Sequence, residues 1–339
     1  MNNTLRLYRR QYVQAGADMG DWSHIEPYFD ELDRRPIDTK EALERWLLDQ
    51  SDLAACLDEE VTRRRVAMTC HTDDAAIETA FLHVVENVVP RCKPRWQRLR
   101  ARYVASPART LLPRDRYFVH DRSTASAVEI FREENVPLET ETEKLDQQYK
   151  KLCGAMTVQY DGKEQTLQQM CRYLEEPDRT VRQTAWKLMS HRRLKDREAI
   201  DDIFDGMMKL RGRMAANAGF PNFRDYQFRV YERFDYTPAD CFAFHEAIEK
   251  VVVPADRALQ EDRRRRLGVD TLRPWDLRVN PGNRPPLKPF ATAVELCTGC
   301  STIFHRLDDA LGDRFDLMVR ENWLDLESRR GKAPGGYLT

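Results

Sequence analysis

The stretch DTKEALERWLLDQSDLAACL, residues 38–57, sets the reading of the fold. Asp38 is placed to cap a helix, with Glu41 three residues on as a capping-box partner. Leu43, Trp46 and Leu47 then recur at helical spacing, followed by Leu53 and Leu57. This pattern predicts a helix over 37–70, and the same period returns along most of the chain. Residues 73–89 carry it in Ile77, Phe81, Val84, Val85 and Val88, with Pro90 and Pro94 predicted to interrupt or end that helix. Further helices are predicted over 122–150, 179–193 with Asp178 as cap, 197–218 closed by Gly219 and Pro221, 237–267 with a bend near Pro254, and 290–311. The fold class expected is mainly α.

Two stretches depart from that period. Residues 155–160 alternate apolar and polar, and Asp161-Gly162 follows, which is a hairpin signal. Trp323–Ser328 also alternates like a strand, turns over 329–336, and Tyr337-Leu338-Thr339 reads as the start of a returning strand. A strand there would keep an unpaired edge, so a truncated or split protein is expected. Residues 273–289 hold five prolines around Trp275 and Leu277, and read as a loop packed on a scaffold.

Composition narrows the function classes. The chain has 339 residues, 41% apolar and 33% charged, with only 14 glycines. The charged share exceeds the usual ~25% and suits long helices with one wet face. A formal net charge of -1 argues against a global field that would recruit nucleic acid or a membrane. No segment approaches the roughly 20 apolar residues of a membrane span, and the first residues have no apolar core of a secretory signal. Eight irregularly spaced cysteines then read as reduced thiols, and the expected location is cytoplasmic.

Candidate chemistry is sparse. A helical zinc-peptidase site needs His-Glu-x-x-His, which puts both imidazoles on one face and a Glu beside the metal-bound water. The one His-Glu pair, His245-Glu246, has Glu249 where the second His would fall, and His245 is read as an ordinary, partly buried helix histidine. Cys297-x-x-Cys300 with His305 is half of a zinc knuckle, and without a second pair it is read as core thiols. The run PRCKPRWQRLRARY, 90–103, has six basic residues and no acidic one. An RNA-binding reading is set aside for a solvated helix face answered by acidic neighbours. Arg263–Arg266 is read as surface. The string GKAPGG, 331–336, lacks phosphate-loop spacing.

Four segments occur in order in the second half: RMAANAGFPNFRDYQFRV (213–230), RFDYTPADCFAFHEAIEKVVVP (233–254), RRLGVDTLRPWDLRV (265–279) and NWLDLESRRGKAPGGY (322–337). Together they resemble oligoendopeptidase F, in the thimet-oligopeptidase-like family of zinc metallopeptidases. The resemblance covers roughly 150–339. Residues 1–110 share only the general character of a variable helical N-terminal region. It implies a helical oligopeptidase N-domain over 111–195 with a hairpin near 155–166, and the incomplete start of a metallopeptidase domain over 196–339.

In that family the fold is a helical enclosure around a deep channel that admits short peptides. Its His-Glu-x-x-His helix, a later Glu ligand, and substrate-contacting His and Tyr all follow the Gly-Lys-Ala-Pro-Gly-Gly-Tyr turn. No catalytic and no metal residue can therefore be carried over. Zinc is expected for the intact enzyme and none for this chain. The resemblance assigns Gly335, Gly336 and Tyr337 to the turn into a sheet whose edge an extended peptide can join. Arg273, Trp275 and Asp276 are read as a structural clamp, with Asp276 pairing an arginine. Expected partners are short peptides and a catalytic half or complementary subunit, with neither nucleic acid nor membrane. The alternative is a non-catalytic peptide-binding or scaffold protein of the same fold. Trp323, Leu324, Leu326 and Tyr337 are expected to leave an exposed apolar patch.

Overall fold

The computed structural model describes residues 10–338. The fold is mainly α, as expected, and the one sheet among the described residues has two strands. The chain divides into two compact units, each built from separate stretches.

One unit takes residues 10–152, 198–247 and 335–338. It holds α1 (Trp22–Arg34), α2 (Lys40–Cys70), α3 (Ala75–His83), α4 (Val89–Ala105), α5 (Arg114–Ile130) and most of α6 (Asn135–Gly154). Most of α9 (Arg197–Asn217), with α10 (Phe223–Val230) and α11 (Pro238–Ala247), completes its helices. Its core packs Ile25, Phe29 and Leu32 of α1 against Leu43, Trp46 and Leu53 of α2 and Leu99 of α4, all without solvent exposure. The Trp46 indole N–H donates to the Leu32 carbonyl at 2.9 Å. The buried Asp52 carboxylate accepts the backbone N–H groups of Gln11, Tyr12 and Val13 at 2.9, 2.7 and 3.1 Å, which ties the incoming chain to α2.

Several expectations are corrected here. The cap of α2 is Thr39, whose hydroxyl accepts from the Ala42 N–H, not Asp38. Pro90 does not end the helix before it. A π turn, Val84–Val88, lies just ahead, and the Val89 N–H reaches back to the Val84 carbonyl. Widening the turn gives the proline ring room against the preceding carbonyls, which is where proline normally breaks a helix. A second π turn, Ile248–Val252, precedes Pro254 within the stretch predicted as one helix over 237–267. The helix expected over 122–150 is two helices, α5 and α6, parted at 131–134.

The basic run on α4 is a solvated face in part: Arg91, Arg98 and Arg100 are exposed, while the other three cations are drawn into the packing. Arg95 bonds Asp33 at 2.9 Å, Arg102 donates to the Leu32 and Arg35 carbonyls at 2.6 and 2.8 Å, and Lys93 pairs with Glu139. Trp96 meets Phe29 edge-on at 4.8 Å, and Tyr103 is buried. Acidic neighbours do answer these cations, but from within the helical packing.

The other unit takes residues 153–197 and 248–334. Strands β1 (Thr157–Tyr160) and β2 (Lys163–Thr166) pair antiparallel with Tyr160 opposite Lys163. The turn residues Asp161 and Gly162 both have positive φ, 55° and 73°, as a two-residue type I′ hairpin requires. Short α7 (Leu167–Met170) and α8 (Arg179–Lys195) follow, the latter capped by Asp178. Met170, Leu174 and Ala185 form the small core between them. Then come α12 (Val253–Leu267), ended by Gly268 at φ 64°, the proline loop, α13 (Ala293–Leu307) and α14 (Asp309–Arg320). At Gly312 an added Cβ would lie 2.3 Å from the His305 ring, so this close approach of α14 to α13 needs glycine.

Candidate functional site

The motif-bearing residues fall into three places. The first is the proline loop. Asp276 lies at the end of a short 3₁₀ turn, Pro274–Asp276, with no solvent exposure. Its carboxylate accepts from Arg179 at 3.0 and 2.8 Å, from Arg182 at 3.1 Å and from the Arg273 N–H at 3.0 Å. Arg182, itself buried, also donates to the Trp275, Glu176 and Pro177 carbonyls. Arg263 of α12 reaches the Val279 carbonyl at 2.8 Å. Burial would raise the Asp276 pKa, but the Arg179 and Arg182 guanidiniums and the Arg273 N–H outweigh it and hold the carboxyl below its usual range. The clamp read from Leu-Arg-Pro-Trp-Asp is therefore present, and it joins the loop to α8.

The second place is the segment 322–338. The strand expected over Trp323–Ser328 is not formed: the segment has no regular secondary structure and no ladder partner among the described residues. Side chains pin it instead. Gln169 Nε2 donates to the Ser328 carbonyl at 2.9 Å, and the Thr166 and Ser328 hydroxyls meet at 2.8 Å. Lys332 Nζ curls back to the Asp325 and Glu327 carbonyls at 2.6 and 3.0 Å, and the Gly331 N–H donates to the Gly154 carbonyl at 3.0 Å. The Lys of the Gly-Lys-Ala-Pro-Gly-Gly string thus neutralises carbonyls that a neighbouring strand would otherwise satisfy. Gly335 follows at φ 93°, which favours glycine, and a Cβ at Gly335 or Gly336 would meet nothing within 4 Å. Tyr337 is exposed over its ring while its hydroxyl bonds the Thr69 hydroxyl. The returning strand expected at Tyr337-Leu338-Thr339 is not formed at Tyr337 and Leu338, and Thr339 lies outside the described residues.

The third place is a cleft of about 570 Å³ between α13, α14 and the stretch 322–329. Val294, Val319 and Leu326 give it apolar walls, and Cys297 lies among them. Sequence reasoning missed α14 and with it Asp316. That carboxylate accepts from Ser301 at 2.6 Å and meets His305 Nε2 at 3.0 Å, and this hydrogen bond raises the His305 pKa against an opposing burial effect. The order is Ser–Asp–His. Both partners bond the carboxylate, so no base faces the hydroxyl and the set is not a nucleophilic triad.

Metal ligation by the residues present does not fit. His245 is exposed on α11 rather than partly buried, with its ring edge-on to Phe242 at 6.3 Å. Cys297 and Cys300 are half-buried free thiols. Among the described residues no group of three or more His, Cys, Asp or Glu side chains could hold a metal ion. No helix among them is long and apolar enough to cross a membrane.

The apolar surface around these places is distinctive. Beyond Tyr226, Val279 is the one apolar side chain that is buried among the described residues. Phe242, Phe244, Val251, Leu259, Ile303, Leu307 and Trp323 are all more than half exposed. Helices α11, α12 and α13 bury no residue.

Comparison with known proteins agrees with the reading of the motifs. Residues 172–339 match the model of peptidase family M3. A Bacillus anthracis structure assigned to oligoendopeptidase F superposes with a TM-score of 0.87 at 20% identity, covering 98% of this chain and 60% of its own. PZ peptidase A, solved with an inhibitor, gives 0.89 at 23% identity, covering 96% and 58%. These likenesses establish the fold. The chain spans about three fifths of the length of these solved structures. No curated protein matches the sequence.

Proposed function

We propose that this chain is the N-terminal portion of a zinc oligoendopeptidase, and that it forms part of a channel wall without cleaving peptides by itself. The observation that carries the reading is the conjunction of the family M3 match over 172–339 with helices that bury none of their apolar side chains. Such faces are normally covered, and about two fifths of the length of the solved structures lies outside the part this chain covers. In the intact enzyme, the further region would supply the residues that hold zinc and the Glu that activates its water, and short peptides would be the substrates. Residues 196–339 then begin the catalytic domain. Gly335, Gly336 and Tyr337 contact the extended substrate, with the two glycines leaving backbone open to it and Tyr337 offering an exposed ring.

The isolated chain is expected to self-associate. Sedimentation at micromolar concentration should give species larger than the 39.8 kDa monomer, with strong binding of an apolar-surface dye. Adding a polypeptide that carries the family's His-Glu-x-x-His region should restore a single defined complex and abolish dye binding. A monodisperse monomer with little dye binding would count against a missing covering region. Tight peptide binding by that monomer would favour the non-catalytic scaffold reading.

A further inference from the structure

Tyr337 closes the Gly-Gly-Tyr turn, and a group far back in the chain holds it. Its hydroxyl meets the hydroxyl of Thr69, 268 positions earlier, in the last turn of α2. Both residues belong to the same compact unit. Thr69 is 5% exposed and Tyr337 58% exposed, so the phenol tip is anchored to a buried group while much of the residue stays open to solvent.

The donor count fixes the direction of this bond. A threonine hydroxyl has one proton and two lone pairs. Thr69 donates its proton to the Val66 carbonyl at 3.0 Å, one turn back in α2. Toward Tyr337 it can only accept, and the phenol donates. The acceptor stands on a firm base. The adjacent Met68 is buried in a small core with Phe81 and Val85, and the His71 N–H closes the helix on the Ala67 and Met68 carbonyls at 3.0 and 3.3 Å. Gly335 and Gly336 supply the opposite property. A Cβ on either would meet nothing within 4 Å, and Gly335 sits at φ 93°. Two glycines leave the chain before Tyr337 a wide choice of backbone angles, so the backbone alone does not set the place of the ring. A fixed hydroxyl at the far end of the side chain removes that freedom.

We propose that Thr69 is a positioning residue for the peptide-contacting turn. By accepting the Tyr337 hydroxyl, it holds the Tyr337 ring and the Gly335-Gly336 backbone in the pose that meets an extended substrate. This role rests on the reading of Gly335, Gly336 and Tyr337 as substrate contacts. It gives α2, which lies outside the stretch matched to family M3, a part in peptide binding. A turn ordered before the peptide arrives costs less entropy on binding.

Two readouts separate the hydrogen bond from its consequence. The first is acetylation of tyrosine hydroxyls by N-acetylimidazole in the full chain, located by peptide mass spectrometry, with the exposed Tyr231 as internal standard. Thr69→Val should raise the Tyr337 rate relative to Tyr231 by about three- to ten-fold, the factor set by one neutral hydrogen bond, and Thr69→Ser should restore the parent ratio. The second is cleavage of a quenched fluorescent peptide by the chain combined with the polypeptide that bears the His-Glu-x-x-His region. Thr69→Val should raise KM by about three- to ten-fold with kcat nearly unchanged, as expected when binding alone is weakened, and Thr69→Ser should recover it. Tyr337→Phe, a change at an exposed position, should match Thr69→Val in KM and carries the test if Thr69→Val does not fold. An unchanged acetylation ratio in Thr69→Val would overturn the bond. A raised ratio with unchanged KM, or no recovery in Thr69→Ser, would overturn the positioning role and leave the peptidase reading standing. No cleavage by the parent pair would remove the peptidase reading and this role with it.

Discussion

Asp276→Ala should destabilise the unit formed by 153–197 and 248–334 by about 3–5 kcal/mol, the usual cost of removing one partner from a buried charge pair. Arg182, 3% exposed, would keep its charge with no carboxylate facing it. The partly exposed Arg179 can turn to water, so Arg182 sets the penalty. Urea unfolding followed by tryptophan emission reports on it, because Trp186 and Trp275 pack at 5.4 Å beside the clamp. The pH dependence has a definite sign. The folded-state pKa of Asp276 is depressed, so its contribution is complete above the unfolded carboxylate range, about 3.9, and is lost as pH falls through the folded value. The variant should therefore lose part of the acid-limb decline that the parent shows. An Asp276→Ala chain as stable as the parent would remove the clamp from the account of this unit.

Trp46→Ala should cost roughly 3–5 kcal/mol in the other unit, through lost burial and the cavity left behind. Trp46 is fully enclosed by α1 and α4 and lies under Arg102 at 5.6 Å. The Leu32 carbonyl would still hold Arg102 at 2.6 Å, so the loss is mainly one of packing rather than of an orphaned acceptor. Trp46→Phe should recover about half, since an aromatic ring would refill most of the space. Denaturant midpoints of the three chains, read by circular dichroism, decide this. A Trp46→Ala loss below 1 kcal/mol would mean that α1, α2 and α4 do not depend on this contact.

What was legible from sequence follows the range of the forces involved. Caps and turns such as Asp178, Gly219 and Asp161-Gly162 act within a few residues, and they stand as read. Local proline rules misled at Pro90, because a π turn five residues wide absorbs the ring and no residue type announces it. The Leu-Arg-Pro-Trp-Asp string disclosed a clamp but not its partners. Arg179 and Arg182 sit more than 90 positions away and look like any basic pair on a helix. The basic run at 90–103 reads as answered by acidic neighbours but does not say by which ones, since Asp33 and Glu139 reach it only through tertiary packing. The alternation at Trp323–Ser328 predicted a strand that is not formed. It could not distinguish a strand from a segment held by Gln169 and Lys332.

The central claim is that these 339 residues carry part of a peptidase and not its catalytic centre. Hydrolysis of a quenched fluorescent peptide measures it directly, with added zinc, with a chelator, and with or without a polypeptide bearing the family's His-Glu-x-x-His region. The account predicts no chelator-sensitive cleavage by the chain alone, and zinc-dependent cleavage once the two are combined. Robust chelator-sensitive cleavage by the chain alone would contradict it, and would mean that His245, Glu249 or the Cys297 and Cys300 pair assembles a metal centre.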